Sequence, residues 1–194
     1  MLYLNQKKYS HIKYYHNADN GGPINGRDNV GTSGCGPCCA CMVVEHLTMN
    51  SLGVEECVKL SEENGANRNI GTNMTVLGNV IAEKFGLEFS STNDKDEVLE
   101  HLRNGGEVIA NVSNDREGAV SVFTKRGHYI LVVSVEGNRA CILDPSYTEE
   151  KFATDNARGK VVLDAPFVYC DIDLLMEEAS NRNPGFFLFK RKSR

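Results

Sequence analysis

The segment that decides the fold is residues 32–42, which read TSGCGPCCACM. Pro37 suits the first turn of a helix, because its missing N–H would have no intrahelical partner there. We therefore expect a helix that begins near Cys35 and ends at about Leu47. At a helix start the unpaired N–H groups and the helix dipole favour an anion, so a thiol there loses its proton more readily. Cys35 is thus a candidate nucleophile, and we expect the glycines beside it to let a substrate backbone approach closely.

Outward from this segment, helical patterns dominate the first half of the chain and strand patterns the second. The first thirty residues are polar and turn-rich, and we expect an irregular loop around residues 17–26. Further helices are predicted at residues 54–63, 74–84 (capped by Thr72 or Asn73 and ended by Gly86), 95–103 and 173–179. Strands are predicted at residues 107–112, 119–124, 128–135, 139–143, 161–163 and 186–190, with a hairpin turn at residues 136–138. This order indicates an α+β fold, with an N-terminal helical half packed on a C-terminal antiparallel sheet and a cleft between them.

Length and composition set limits on the function. The 194 residues fit one domain, and we expect a single domain over residues 1–194. The net charge of −5 argues against a nucleic-acid partner. No run approaches the ~20 apolar residues of a membrane span. The first residues, MLYLNQ, do not read as a signal peptide, so a cytoplasmic location is expected, while the oligomeric state stays open.

The seven cysteines point to a reducing compartment. Four of them crowd into residues 35–41, where oxidation would invite mispairing. Cys57, Cys141 and Cys170 lie in apolar contexts and are expected to be small core residues.

A histidine and an aspartate in the second half of the chain are candidates for the base that activates the thiol and for the residue that orients this base. His128 precedes an apolar run in Gly127-His128-Tyr129-Ile130-Leu131, and Asp144 follows the other strand of the predicted hairpin. A short turn brings the two residues side by side on neighbouring antiparallel strands. The aspartate can then accept from one imidazole nitrogen while the other nitrogen faces the thiol, as a catalytic base requires.

Three motifs together resemble the bacterial papain-like peptidases related to the bacteriocin-processing, double-glycine-leader peptidases. They are Leu4-Asn5-Gln6, Ser33-Gly34-Cys35-Gly36-Pro37, and Gly127-His128-Tyr129 with Asp144-Pro145. The resemblance implies that Gln6 helps to form the oxyanion hole, that Cys35 is the nucleophile, and that His128 and Asp144 complete a catalytic triad. It also implies a peptide or small amide substrate, with no metal and no organic cofactor. The chain departs from the family at Cys38, Cys39 and Cys41, where such a helix normally carries Thr, Ser or Ala.

Four other interpretations compete with a peptidase. Cys35-Gly36-Pro37-Cys38 is also a C-x-x-C motif of dithiol redox proteins, but these place the motif after the first strand of a βαβ unit. A zinc site would need a second closely spaced pair of ligands, which Cys141 and Cys170 do not supply. A non-catalytic peptide-binding protein of the same fold, and an acyltransferase or amidase with the same triad, remain open because fold and triad do not fix the substrate.

Overall fold

The structure is a computed structural model that describes residues 1–16, 28–67, 71–116, 118 and 121–192. It divides into two compact units, Met1–Phe89 with Arg191–Arg194, and Ser90–Lys190. The irregular loop expected at residues 17–26 lies outside the described residues. The single domain expected over residues 1–194 stays a prediction.

The first unit is built from helices. They are a short 3₁₀ helix at Gln6–Tyr9 and the α-helices α1 at Val30–Ser33, α2 at Cys35–Leu47, α3 at Val54–Glu63 and α4 at Met74–Phe85. Helix α2 is almost wholly buried from Gly36 to Val44 and contacts both α3 and α4. The predicted limits of α4 are confirmed, because the Asn73 side chain accepts from the Val76 N–H and Gly86 ends the helix with φ +69°.

The second unit is built on an antiparallel sheet. It carries α5 at Lys95–Arg103, β2 at Glu107–Ser113, β3 at Gly127–Glu136, β4 at Arg139–Leu143, α6 at Glu149–Phe152, β5 at Val161–Asp164, β6 at Phe167–Asp171 and α7 at Ile172–Glu178. Strands β1 at Leu87–Thr92 and β7 at Phe186–Arg191 span the unit boundaries in the chain. The strand order is β1-β7-β2-β3-β4-β6-β5. The prediction of helices followed by an antiparallel sheet is confirmed.

A large apolar cluster of the second unit lies on one face of this sheet. Val108, Ala110 and Val112 of β2 belong to it, as the two-residue period of a strand predicts for one face, while Ile109 on the other face of β2 is buried as well. Val98 and Leu102 of α5 belong to the same buried cluster.

The strand predicted at residues 119–124 is wrong for the described part of that segment, residues 121–124, which form bends and irregular backbone. The backbone N–H groups of Val122 and Phe123 donate to the buried carboxylate of Glu178, at 2.6 and 3.3 Å. These amides therefore find their acceptor in a side chain instead of a neighbouring strand. Residues 119 and 120 lie outside the described residues.

The prediction of three core cysteines is confirmed for Cys57 and Cys170 and wrong for Cys141, which is half-buried. Ala140 and Ile142 of β4 are buried, so the residue between them faces away from the core. Burial raises the pKa of the Cys170 thiol to about 12, which keeps it protonated at neutral pH.

Candidate active site

The candidate nucleophile, Cys35, is the first residue of α2. Gly34 precedes it as N-cap and offers no side-chain hydrogen bond to the first turn. Cys35 is half-buried, whereas Cys38, Cys39 and Cys41 on the same helix are fully buried. Of the thiols in α2, Cys35 is therefore the one that solvent and a substrate can reach.

The glycines on either side of Cys35 are required by packing. A Cβ at Gly34 would lie 2.3 Å from Cγ1 of Val30, and one at Gly36 would lie 2.7 Å from Cβ of Thr72. Both distances are too short for real contacts, so any larger residue would displace α1 or the Thr72 segment. The glycines thus have a structural reason that does not depend on a substrate.

Cys38, the second cysteine of the C-x-x-C motif, differs from Cys35 in environment. Burial, together with the neighbouring Cys35, raises the pKa of the Cys38 thiol well above its ordinary value. The motif also follows the short helix α1, whereas the redox interpretation requires a preceding strand. The local structure therefore does not match a dithiol redox protein.

His128 and Asp144 form a hydrogen-bonded pair in the second unit. His128 is the second residue of β3 and lies opposite Val112 of β2. Asp144 directly follows β4, which pairs with β3 and places Leu143 opposite Leu131. The His128 Nε2 lies 2.7 Å from Oδ1 of Asp144, with the imidazole largely buried and the carboxylate fully buried. This pair has the geometry of a base and the residue that orients it.

Two further residues of this site were not predicted from the sequence. Ser146 donates its backbone N–H to Oδ1 of Asp144 at 2.8 Å, and its hydroxyl lies 3.1 Å from Nε2 of His128. Lys151 donates from Nζ to Oδ2 of Asp144 and, at 2.7 Å, to the Ser146 hydroxyl. The segment Thr148-Glu149-Glu150 could have predicted α6, since a Thr followed by acidic residues is typical of a helix start, but it carries no signal for the contact between Lys151 and Asp144.

These contacts determine the charge of Asp144. Burial by itself would raise the pKa of this carboxyl, but the charges of His128 and Lys151 and their hydrogen bonds hold it well below its ordinary value. Asp144 is therefore ionised at neutral pH. An ionised carboxylate can only accept, so the hydrogen in the bond to His128 lies on Nε2.

Gln6, the expected oxyanion donor, lies buried at the start of the 3₁₀ helix. Its Nε2 donates to the carbonyl of Gly31 at 3.1 Å and more weakly to that of Val30 at 3.4 Å. Gly34 also donates to the Val30 carbonyl, at 2.7 Å, so Gln6 contacts the turn that directly precedes Cys35. The Gln6 Oε1 is buried and finds no partner among the described residues.

The four predicted site residues thus fall into two local groups. Gln6 and Cys35 belong to the first unit, and His128 and Asp144 to the second. The structure confirms the His128–Asp144 contact. The catalytic roles of Gln6, Cys35, His128 and Asp144 stay predictions.

Two other features bear on the class of protein. Within the described parts of the chain, no three His, Cys, Asp or Glu side chains are grouped so that they could hold a metal ion. A search of the same residues for a helix with the length and hydropathy of a membrane span finds none.

Comparison with known proteins gives one family match. Residues 9–161 match the family described as "Peptidase_C39 like family". No curated protein matches the chain significantly.

Two solved structures share the fold. A protein described as a C39-like peptidase from Bacillus anthracis superposes with a TM-score of 0.55 at 10% identity, covering 83% of this chain and 90% of that chain. The peptidase domain of Streptococcus ComA, described as a bifunctional ABC transporter involved in quorum sensing, gives a TM-score of 0.52 at 16% identity, covering 94% of this chain and 100% of that domain. The predicted fold class, a papain-like α+β fold, is thereby confirmed.

Proposed function

The chain belongs to the Peptidase_C39 like family, and on that premise we propose that it is a cysteine peptidase that cleaves peptide or amide bonds through Cys35, His128 and Asp144. The observation that carries this proposal is the pairing of buried Asp144 with Nε2 of His128 at 2.7 Å. With the proton held on Nε2, the neutral ring has its lone pair on Nδ1, and this nitrogen is the base that a thiol requires.

The proposed reaction is acyl transfer to sulfur. The Cys35 thiolate, paired with protonated His128, attacks the carbonyl carbon of the substrate. His128 then gives its Nδ1 proton to the leaving amine, and a thioester to Cys35 remains. Water loses a proton to His128, attacks the thioester, and releases the acid and the free thiol.

The developing oxyanion needs donors that already point at it. We propose that the backbone N–H of Cys35 is one donor and the Gln6 side-chain amide the other. The two residues are joined locally through α1, since Gln6 Nε2 and Gly34 N–H donate to the same Val30 carbonyl. Because the Gln6 amide donates to the carbonyls of Gly31 and Val30, it must release the weaker of these bonds, the one to Val30, to donate to an oxyanion.

The proposal also assigns the substrate class. Family membership favours a peptide, and neither a metal nor an organic cofactor takes part in the proposed steps. Its test is a panel of peptidyl acyloxymethyl ketones, which alkylate cysteine peptidases at the nucleophile, followed by mass-spectrometric location of the adduct. A peptide library digested in parallel reports hydrolysis by the appearance of new termini.

The matched variants remove one thiol each. Cys35→Ala should abolish both the adduct and the new peptide termini, whereas Cys141→Ala, which removes a half-buried thiol of β4, should retain both. Labelling or cleavage that survives in Cys35→Ala would contradict the proposal. Products in which the acyl group is found on an added amine, with no hydrolysis, would identify an acyltransferase instead.

A further inference from the structure

Lys151 occupies an unusual position for a lysine, because its charged end lies against a buried carboxylate. The short helix α6 places it there: the Thr148 hydroxyl caps α6 by accepting from the Lys151 backbone N–H at 3.1 Å. The Lys151 side chain is only 18% exposed, and the side chain of Asp144 is fully buried. Removing this ammonium group from water costs free energy, which a hydrogen-bonded partner of opposite charge offsets.

The contacts of Lys151 form a closed network with the candidate base. Its Nζ donates to Oδ2 of Asp144 and to the hydroxyl of Ser146, the second at 2.7 Å. The same hydroxyl lies 3.1 Å from Oδ1 of Asp144 and 3.1 Å from Nε2 of His128. Oδ2 of Asp144 therefore accepts from the Lys151 ammonium, and Oδ1 faces Nε2 of His128. The Ser146 hydroxyl lies between the ammonium and the imidazole.

Counting hydrogens in this network leaves one arrangement. The Lys151 ammonium can only donate, and the Asp144 carboxylate can only accept. Ser146 therefore accepts from Lys151, and its own hydrogen can point to Asp144 or to Nε2 of His128. The 2.7 Å separation between Nε2 and Oδ1 of Asp144 requires a hydrogen between these two atoms, and the ionised carboxylate carries none. That hydrogen therefore lies on Nε2, which leaves Nδ1 without a hydrogen when the ring is neutral, and the Ser146 hydroxyl then points to Asp144.

We propose that Lys151 is a positioning residue of the active site, which neutralises Asp144 and fixes His128 as the neutral Nε2–H tautomer with Nδ1 as the base. The inference rests on the proposed function, in which His128 serves Cys35. Lys151 acts through Asp144 and touches no substrate.

The charge of Lys151 has a consequence that a purely structural role would not have. Among the described residues, the charges that act on Asp144 most strongly are those of His128 from β3 and Lys151 from α6, while the other charged residues of α6, Glu149 and Glu150, are exposed. Asp144 alone would favour the imidazolium form of His128, and the nearby ammonium opposes it. Removing that positive charge should raise the pKa of His128 by roughly 1–2 pH units, for a charge at hydrogen-bonded range in a partly buried site.

The experiment is a pH titration of the His128 ring by two-bond 1H–15N NMR, with the signal assigned by its loss in His128→Gln. Lys151→Met removes the charge and the hydrogen bonds, whereas Lys151→Gln removes the charge and keeps a donor. Both should raise the midpoint by the stated amount. Lys151→Arg keeps the charge and should stay within about 0.5 units of the wild type. Lys160→Met, the removal of an exposed lysine, controls for net charge and should leave the midpoint unchanged.

The inference is overturned if Lys151→Met and Lys151→Gln both leave the His128 midpoint within about 0.3 units of the wild type. The wild-type protein gives a second test that needs no variant: the ring 15N shifts above the midpoint should report the Nε2–H tautomer, and the Nδ1–H tautomer would refute the assignment. The proposed function fails separately, if His128→Ala leaves the alkylation of Cys35 unchanged, because the titration of His128 reports on Lys151 whether or not Cys35 is activated.

Discussion

Replacing Asp144 by alanine tests how much the buried charge network contributes to stability. The substitution leaves Lys151 and His128 without their shared acceptor, and Asp144 is fully buried. Removing one partner of a buried ion pair costs about 3–5 kcal/mol. Because the Lys151 side chain is 18% exposed and can turn toward water, we expect the lower end, about 3 kcal/mol.

Asparagine at this position is expected to be a poor substitute for a chemical reason. The site needs two acceptors, one for Nε2 of His128 and the N–H of Ser146, and one for Nζ of Lys151. An amide supplies a single acceptor oxygen, so its NH2 group must face one of these donors. Asp144→Asn should therefore cost about 2 kcal/mol even though its shape is unchanged.

The assay is urea unfolding at pH 7 followed by circular dichroism, with Asp164→Ala, at an exposed carboxylate of β5, as the control. With a slope of about 2 kcal/mol per molar urea, the Asp144→Ala midpoint should fall by about 1.5 M, and the control by less than about 0.3 M. Asp144→Ala combined with Lys151→Met should be less destabilised than the sum of the single changes by about 2 kcal/mol, because the double variant buries no unpaired charge. Additive effects within about 0.5 kcal/mol would refute the network.

The contribution of Asp144 to stability should also change with pH, in a direction that its pKa shift determines. The pKa of Asp144 is lower in the folded protein than in the unfolded chain, so its contribution to stability is present above the ordinary carboxyl pKa of ~3.9. The contribution is lost as the pH falls further, toward the folded-state pKa. The difference between wild type and Asp144→Ala should accordingly hold from pH 7 to about 5 and shrink below pH 4. A difference that grows on acidification would contradict the assigned direction.

Three further predictions concern other parts of the chain. Gly36→Ala would place a methyl group 2.7 Å from Cβ of Thr72 and should lower the free energy of unfolding by about 1–3 kcal/mol. Gly53→Ala has open space around the new methyl group and should lower it by less than about 1 kcal/mol. Thermal unfolding compares the two variants, and equal losses of stability would contradict the packing argument. Burial raises the pKa of Glu178, so the free energy of unfolding of the wild type, relative to that of Glu178→Gln, should fall as the pH rises above ~4.3. Urea unfolding between pH 4 and 8 measures this difference, and a difference that does not change with pH would contradict the prediction. Gln6→Ala should lower kcat on a cleaved peptide about 100-fold while leaving the nucleophile's alkylation rate unchanged, and loss of both together would assign Gln6 a structural role.

The sequence was most informative where one local rule decided the structure. Pro37 in a first turn predicted α2, and Asn73 and Gly86 predicted the limits of α4, because capping depends on residues close in the chain. That His128 and Asp144 come close together was also predictable, since a short hairpin brings the far ends of its two strands side by side, although an irregularity between Val132 and Ser134 shifts the register along the way. The family resemblance drawn from three short motifs is confirmed by the match over residues 9–161.

The parts that the sequence did not predict depend on distant partners. Residues 121–124 resemble a strand, yet their amides are taken by Glu178, more than fifty positions away in the chain. Strand β1 at Leu87–Thr92 has few apolar residues, and its pattern alone does not distinguish it from a loop. Lys151 looks like an ordinary surface residue of a polar stretch, and only the folded contact with Asp144 gives it a role. A buried ion pair formed by tertiary packing leaves no local signal.

The most direct measurement of the central claim is the rate at which iodoacetamide alkylates each cysteine between pH 5 and 9, resolved by mass spectrometry. We predict that Cys35 reacts first near neutral pH, and that His128→Ala slows its alkylation at least tenfold while Cys141 is unaffected. Equal rates for Cys35, Cys38 and Cys41, or a Cys35 rate that does not change when His128 is removed, would contradict the account.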